Sequence, residues 1–197
     1  MSNYVASAQG GGPPVLLLHT WWGLNQVIKD LADRLAGDGF TVVAPDLFNG
    51  KVLTTIEEAD AHGQQMDAEN ERIAGIVAAA LDELLARGDV QGGRAGIVAL
   101  SFGGWYARQV VEHRNDVAAL VSIYSDVYDA PEGVAYQGHF AGDDQFVSPP
   151  SEPVADETHI YPGTKHWFME RDRPEHDADA QELAYGRVVE FLRRHLT

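Results

Sequence analysis

The sequence predicts a doubly wound α/β fold: three layers, with a mainly parallel sheet of about six or seven strands and helices on both faces. Two observations predict it. Short runs that are apolar at every position, as in strands buried on both faces, recur along the chain. Between them lie longer stretches whose apolar residues return at helical spacing, and strands alternating with helices pair in parallel through right-handed crossovers.

The first run, residues 15–18, is too short for a helix. Over 26–36 the residues Val27, Ile28, Leu31 and Leu35 share one helical face, and Gly37 and Gly39 end it. Residues 41–44 form the next strand, closed by Pro45 and Asp46. A longer helix is expected over 67–87, where Ile73, Ile76, Val77, Ala80, Leu81, Leu84 and Leu85 keep the i, i+3, i+4, i+7 pattern before Gly88. Residues 95–100 read as a third buried strand, 104–113 as a helix and 118–123 as a fourth strand. Two more strands fall at 135–140 and 158–161. A final helix over 178–195 sets Leu183, Val188, Phe191 and Leu192 on its apolar side. No repeat or long linker interrupts this order, so one domain over 1–197 without a cap domain is expected.

Composition narrows the function. The chain carries 14 Lys and Arg against 30 Asp and Glu, a formal charge of −16 that would repel phosphates, so nucleic acid and anionic membrane surfaces are not expected as partners. There is no cysteine, which excludes disulfides, thiolate metal sites and a cysteine nucleophile. Covalent chemistry must then use oxygen or nitrogen. Residues 1–5 lack the basic start and apolar stretch of a secretory signal, and no run is long enough to span a bilayer, so a cytoplasmic protein is expected.

In such sheets chemistry gathers in loops at the carboxyl ends of strands. The run 95–100 leads directly into Ser101-Phe102-Gly103-Gly104 and a helix, the context of a nucleophile elbow, with Ala99 where the usual motif has glycine. A serine in that position is otherwise an N-cap. As a nucleophile it needs a histidine base and a carboxylate to orient the histidine. The loop after the fifth strand offers Asp143 or Asp144, one of which is expected to build an Asx-turn. The loop after the sixth offers His166, and serine, aspartate, histidine is the chain order of α/β-hydrolases. His62, His113, His159, His176 and His195 read as surface residues, His139 as part of a strand, and His19 as a hydrogen-bonding residue at the end of the first strand. No metal-ligand spacing appears, and neither a metal nor a cofactor is expected. The backbone N–H of Phe102 is a natural oxyanion donor, and that of Trp21 is the best candidate for the second. The adjacent Trp21 and Trp22 would roof the sheet or wall a pocket.

The chain resembles the dienelactone hydrolase family of α/β-hydrolases over nearly its whole length. The resemblance rests on the stretch from Leu18 to Asn25, on Val43 to Leu47, on Ser101 to Gly104, on Ile123-Tyr124, on the acid loop from Gly142 to Val147, and on Tyr161-Pro162-Gly163 with His166-Trp167-Phe168. It implies a three-layer α/β-hydrolase fold. It also implies a Ser101, Asp144 and His166 catalytic triad, Trp21 and Phe102 as oxyanion donors, and Asp143 as a turn residue.

Three departures refine that implication. Ser101 stands where the best-known members carry cysteine, and Thr20 where they carry a glutamate that manages the thiol. The two changes agree with a native serine enzyme, because an engineered serine would leave the glutamate in place. Glu170 stands where members that bind the anionic dienelactone place an arginine, which argues against an anionic substrate. The expected activity is hydrolysis of small neutral carboxylic esters or lactones through an acyl-enzyme, in a monomer or homodimer, with Trp22, Tyr124 and Trp167 lining the pocket. The alternatives are true dienelactone (carboxymethylenebutenolide) hydrolysis and a non-catalytic binding protein that keeps the fold.

Overall fold

The computed structural model describes residues 3–66, 69–154 and 156–196. Among these residues seven strands form one sheet in the order β1-β3-β2-β4-β5-β6-β7. They are β1 (Tyr4–Ser7), β2 (Pro14–Leu18), β3 (Thr41–Ala44), β4 (Ala95–Leu100), β5 (Val117–Ile123), β6 (Ala135–Ala141) and β7 (Glu157–Tyr161). All neighbours pair in parallel except β1, which runs antiparallel to β3 along the edge. Among the described residues five helices accompany the sheet: α1 (Gln26–Gly37), α2 (Ile56–Met66), α3 (Asn70–Leu85), α4 (Phe102–Val111) and α5 (Ala178–His195).

The apolar runs are buried on both faces because successive strand side chains point to opposite sides. Val15 and Leu17 of β2 join the core with α1 and α5, whereas Leu16 and Leu18 join the core with α3 and α4. Asn25 starts α1 as its N-cap, its side chain accepting from the Ile28 N–H at 3.1 Å. Strand order reverses between β2 and β4, the switch point where doubly wound sheets place their crevice.

Two elements were not predicted. Strand β1 is only four residues long, with a single fully buried residue, Ala6. Helix α2 buries Ala59 and His62 and leaves most of its residues exposed, so it has no apolar stripe to read. Its start carries a capping box instead: Thr55 Oγ1 accepts from the Glu58 N–H, and the Glu58 carboxylate accepts from the Thr54 and Thr55 N–H groups. The predicted start of the long helix at Asp67 lies outside the described residues; its described part runs from Asn70. Helix α4 begins at Phe102, two residues earlier than expected. Leu183, placed on the apolar side of the last helix, is half exposed, and Ala180, Ala184 and Tyr185 bury that end of α5.

Candidate active site

Strand β4 lies at the centre of the sheet and leads directly into Ser101. The backbone there is left-handed, with φ at 46°, and although Ser101 occupies the N-cap position of α4 its side chain makes no capping bond. Its Oγ lies 2.8 Å from His166 Nε2. Glycines make this turn possible. A Cβ on Gly103 would lie 2.9 Å from the His19 carbonyl oxygen, and one on Gly104 would lie 2.1 Å from Ser125 Oγ.

Asp144 stands on the loop after β6 and His166 on the loop after β7. His166 Nδ1 donates to Asp144 Oδ2 at 2.7 Å, while Asp144 Oδ1 accepts from the N–H groups of Phe146 and Val147 at 2.8 and 3.0 Å. Burial pushes the Asp144 pKa up. The His166 hydrogen bond and charge, with the two amide donors, outweigh burial and hold it below the ordinary carboxylate value. An anionic Asp144 requires Nδ1–H on His166, which leaves Nε2 as the acceptor facing Ser101. Asp143 is exposed, its own N–H donating to the Thr164 carbonyl at 2.8 Å.

Phe102 opens α4, where N–H groups have no intrahelical acceptor. Among the described residues, neither its N–H nor that of Trp21 is bound to a protein acceptor. The loop carrying Trp21 is anchored by His19, whose Nδ1 donates to the Thr20 carbonyl at 2.6 Å and whose Nε2 accepts from the Leu47 N–H at 3.2 Å. Burial lowers the His19 pKa to about 4, so this histidine is a neutral structural link. His62 is buried against Phe48, contrary to its expected place at the surface.

A cavity of about 460 Å³ opens over Ser101 and His166. Tyr124 and Trp167 are in its wall, as is Trp21. Trp22 is not, and its expected place in the pocket is corrected: it is 1% exposed, with the Arg173 guanidinium 4.2 Å from its ring centre. Of the adjacent pair, one ring serves the cavity and the other the core. Sequence reasoning missed Trp105 and Phe146, which line the cavity while remaining 54% and 47% exposed. Both had a positional signal, since Trp105 lies one helical turn after Phe102 and Phe146 lies two residues after Asp144.

The dienelactone hydrolase family model matches residues 1–196. The chain belongs to the dienelactone hydrolase family. A protein of Azospirillum brasilense, named provisionally as a carboxymethylenebutenolidase, is 30% identical over 221 residues, covering 99% of this chain and 94% of its own. Protein usf of Aquifex pyrophilus is 24% identical over 99% of this chain and 94% of its own. Among solved structures, a dienelactone hydrolase-like promiscuous phosphotriesterase from metagenomic libraries aligns with a TM-score of 0.78 at 19% identity, over 96% of this chain and 89% of its own. This hydrolase-family member carries its two charge departures in one place: Thr20 Oγ1 donates to Glu170 Oε2 at 3.2 Å. Tyr124 donates to the other oxygen at 3.1 Å. Burial raises the Glu170 pKa to about 8. The Tyr124 and Thr20 hydrogen bonds and Arg173 oppose that rise, and Asp172 adds to it.

Proposed function

We propose that the protein is a serine hydrolase cleaving small neutral carboxylic esters or lactones through an acyl-enzyme. The observation that carries the reading is the hydrogen-bonded chain from Ser101 Oγ through both nitrogens of His166 to Asp144. Ser101 Oγ attacks the ester carbonyl while its proton passes to His166 Nε2. The carbonyl oxygen, now anionic, is held by the N–H groups of Trp21 and Phe102. His166 returns the proton to the leaving alcohol as the C–O bond breaks. It then takes a proton from water, whose oxygen attacks the acyl-serine, and passes that proton to Ser101 Oγ as the acyl C–O bond breaks and the acid leaves. Asp144 keeps the imidazole in the required tautomer throughout.

The substrate class follows from the cavity wall. Trp21, Phe102, Trp105, Phe146 and Trp167 supply apolar area for an acyl or alcohol group. No Lys or Arg is among the described lining residues, and Asp126 is, so a carboxylate substrate would find no guanidinium fork. The family name and the Azospirillum relative favour a second reading, dienelactone hydrolysis. Assays with p-nitrophenyl acetate and butyrate, a neutral lactone and an anionic dienelactone separate the two: the neutral esters should be preferred, and preference for the anionic lactone refutes the charge argument. Ser101→Ala tests the chemistry. Wild type should outpace it by at least about a thousandfold and take up a serine-directed phosphonate by mass; equal rates and no adduct would refute the enzyme reading.

A further inference from the structure

Two buried or half-buried carboxyl groups are hydrogen-bonded within the loops that build this site, and the reaction above uses only Asp144. Glu170 is the other. It is fully buried and follows His166 by four residues, its N–H donating to the Trp167 carbonyl at 2.8 Å. Each carboxyl oxygen leads to a different part of the site. Thr20, bound to Oε2, immediately precedes Trp21, and its hydroxyl also accepts from the Trp22 N–H at 3.4 Å. Tyr124, bound to Oε1, lines the cavity with its ring centre 5.0 Å from that of His166, and its backbone is left-handed with φ at 37°. One side chain therefore joins the loops after β2, β5 and β7, which carry the oxyanion donor, the wall facing the histidine, and the histidine itself.

Resting on the serine hydrolase reading, we propose that Glu170 is a positioning residue that acts as a neutral carboxylic acid, tying the Trp21 loop and Tyr124 to the His166 loop. A neutral carboxyl can keep both contacts, since its carbonyl and hydroxyl oxygens each retain a lone pair to accept from Tyr124 and Thr20. An ionised one would bury a charge that no cation among the described residues pairs with directly, Arg173 acting only through space. Of the charged groups nearby, Asp172 raises the Glu170 pKa further. The Arg173 guanidinium lies over Trp22 and donates to the Thr54 carbonyl. Across the cleft between α1 and α5, Arg34 is paired with Glu182, and Arg171 with Asp30. The raised pKa of Glu170 accords with this surrounding and sets its ionisation just above neutrality.

The test is kcat and KM for p-nitrophenyl acetate from pH 6 to 9.5 in wild type, Glu170→Gln and Glu170→Ala, each well below its melting temperature. Wild-type kcat should decline above about pH 8. Glu170→Gln should retain kcat within about threefold at pH 7 and lose that alkaline decline. Glu170→Ala should lose at least about tenfold in kcat with KM changed by less than about threefold. The proposal is overturned if Glu170→Gln shares the wild-type decline, or if the alanine variant keeps kcat within twofold. Should Glu170→Ala fail to fold, Thr20→Val breaks one bridge alone, and an unchanged kcat there overturns the proposal equally. Wild type no faster than Ser101→Ala and unlabelled by the phosphonate would remove the hydrolase reading, and this proposal with it; a labelled, active wild type confines any failure to Glu170.

Discussion

Glu170→Gln also makes a stability prediction that does not depend on turnover. The glutamate titrates near 4.5 in the free chain and at about 8 in the fold. Between these values the unfolded chain has released the proton and the native state still holds it. Native protein therefore binds more protons, and stability falls as pH rises, by up to about 1.4 kcal/mol per pH unit. The contribution is complete below about pH 4.5 and is lost as pH approaches 8. From pH 5 to pH 8 the loss is on the order of 3 kcal/mol. Glutamine has no such proton, so the stability of the variant relative to wild type should climb by that amount across the range. For a chain of this size the melting-temperature difference would grow by roughly 6 to 12 °C. Urea unfolding followed by tryptophan fluorescence at pH 5, 6, 7 and 8 measures the difference directly. A difference constant to within about 0.5 kcal/mol would refute the reasoning, because it would mean that Glu170 ionises in the fold as readily as in the free chain.

Three further outcomes are expected. Asp144→Asn should lower kcat by about a thousandfold or more with little change in KM, since the amide no longer enforces Nδ1–H on His166; a loss under tenfold would show that Asp144 does not orient the ring. Gly104→Ala should destabilise the fold by about 1 to 3 kcal/mol in a urea titration, because its Cβ would fall 2.1 Å from Ser125 Oγ, and an unchanged midpoint would disprove that close approach. Trp105→Ala removes a half-exposed ring from the cavity wall, so kcat/KM for p-nitrophenyl butyrate should fall about tenfold while the melting temperature stays within about 2 °C; equal loss for acetate and butyrate would show that Trp105 does not contact the acyl chain.

The layered sheet was legible because its strands are buried on both faces, and burial on both faces leaves a run with no polar position, as in residues 15–18, 42–44 and 95–100. The same physics hid α2, which is held by a capping box and two buried side chains and so lacks an apolar stripe. Chain order placed Ser101, Asp144 and His166 at three separate strand ends, those of β4, β6 and β7, since parallel strands all deliver their carboxyl ends to one edge. The sequence cannot show which of two adjacent rings faces solvent, and so Trp22 was misplaced while Trp105 and Phe146 were overlooked.

What the sequence by itself determined is therefore the frame: the parallel α/β sheet, the family, and the residue types available to one crevice. Backbone periodicity and strand-end position are local properties that a linear chain carries. Only the tertiary structure decided that Ser101 Oγ meets His166 and does not cap its helix, and that Thr20 and Glu170, 150 residues apart, share one hydrogen bond. Contacts between loops depend on how several strand ends converge in space. The burial that turns Glu170 from an ordinary surface acid into one titrating near 8 exists only once those loops have closed over it.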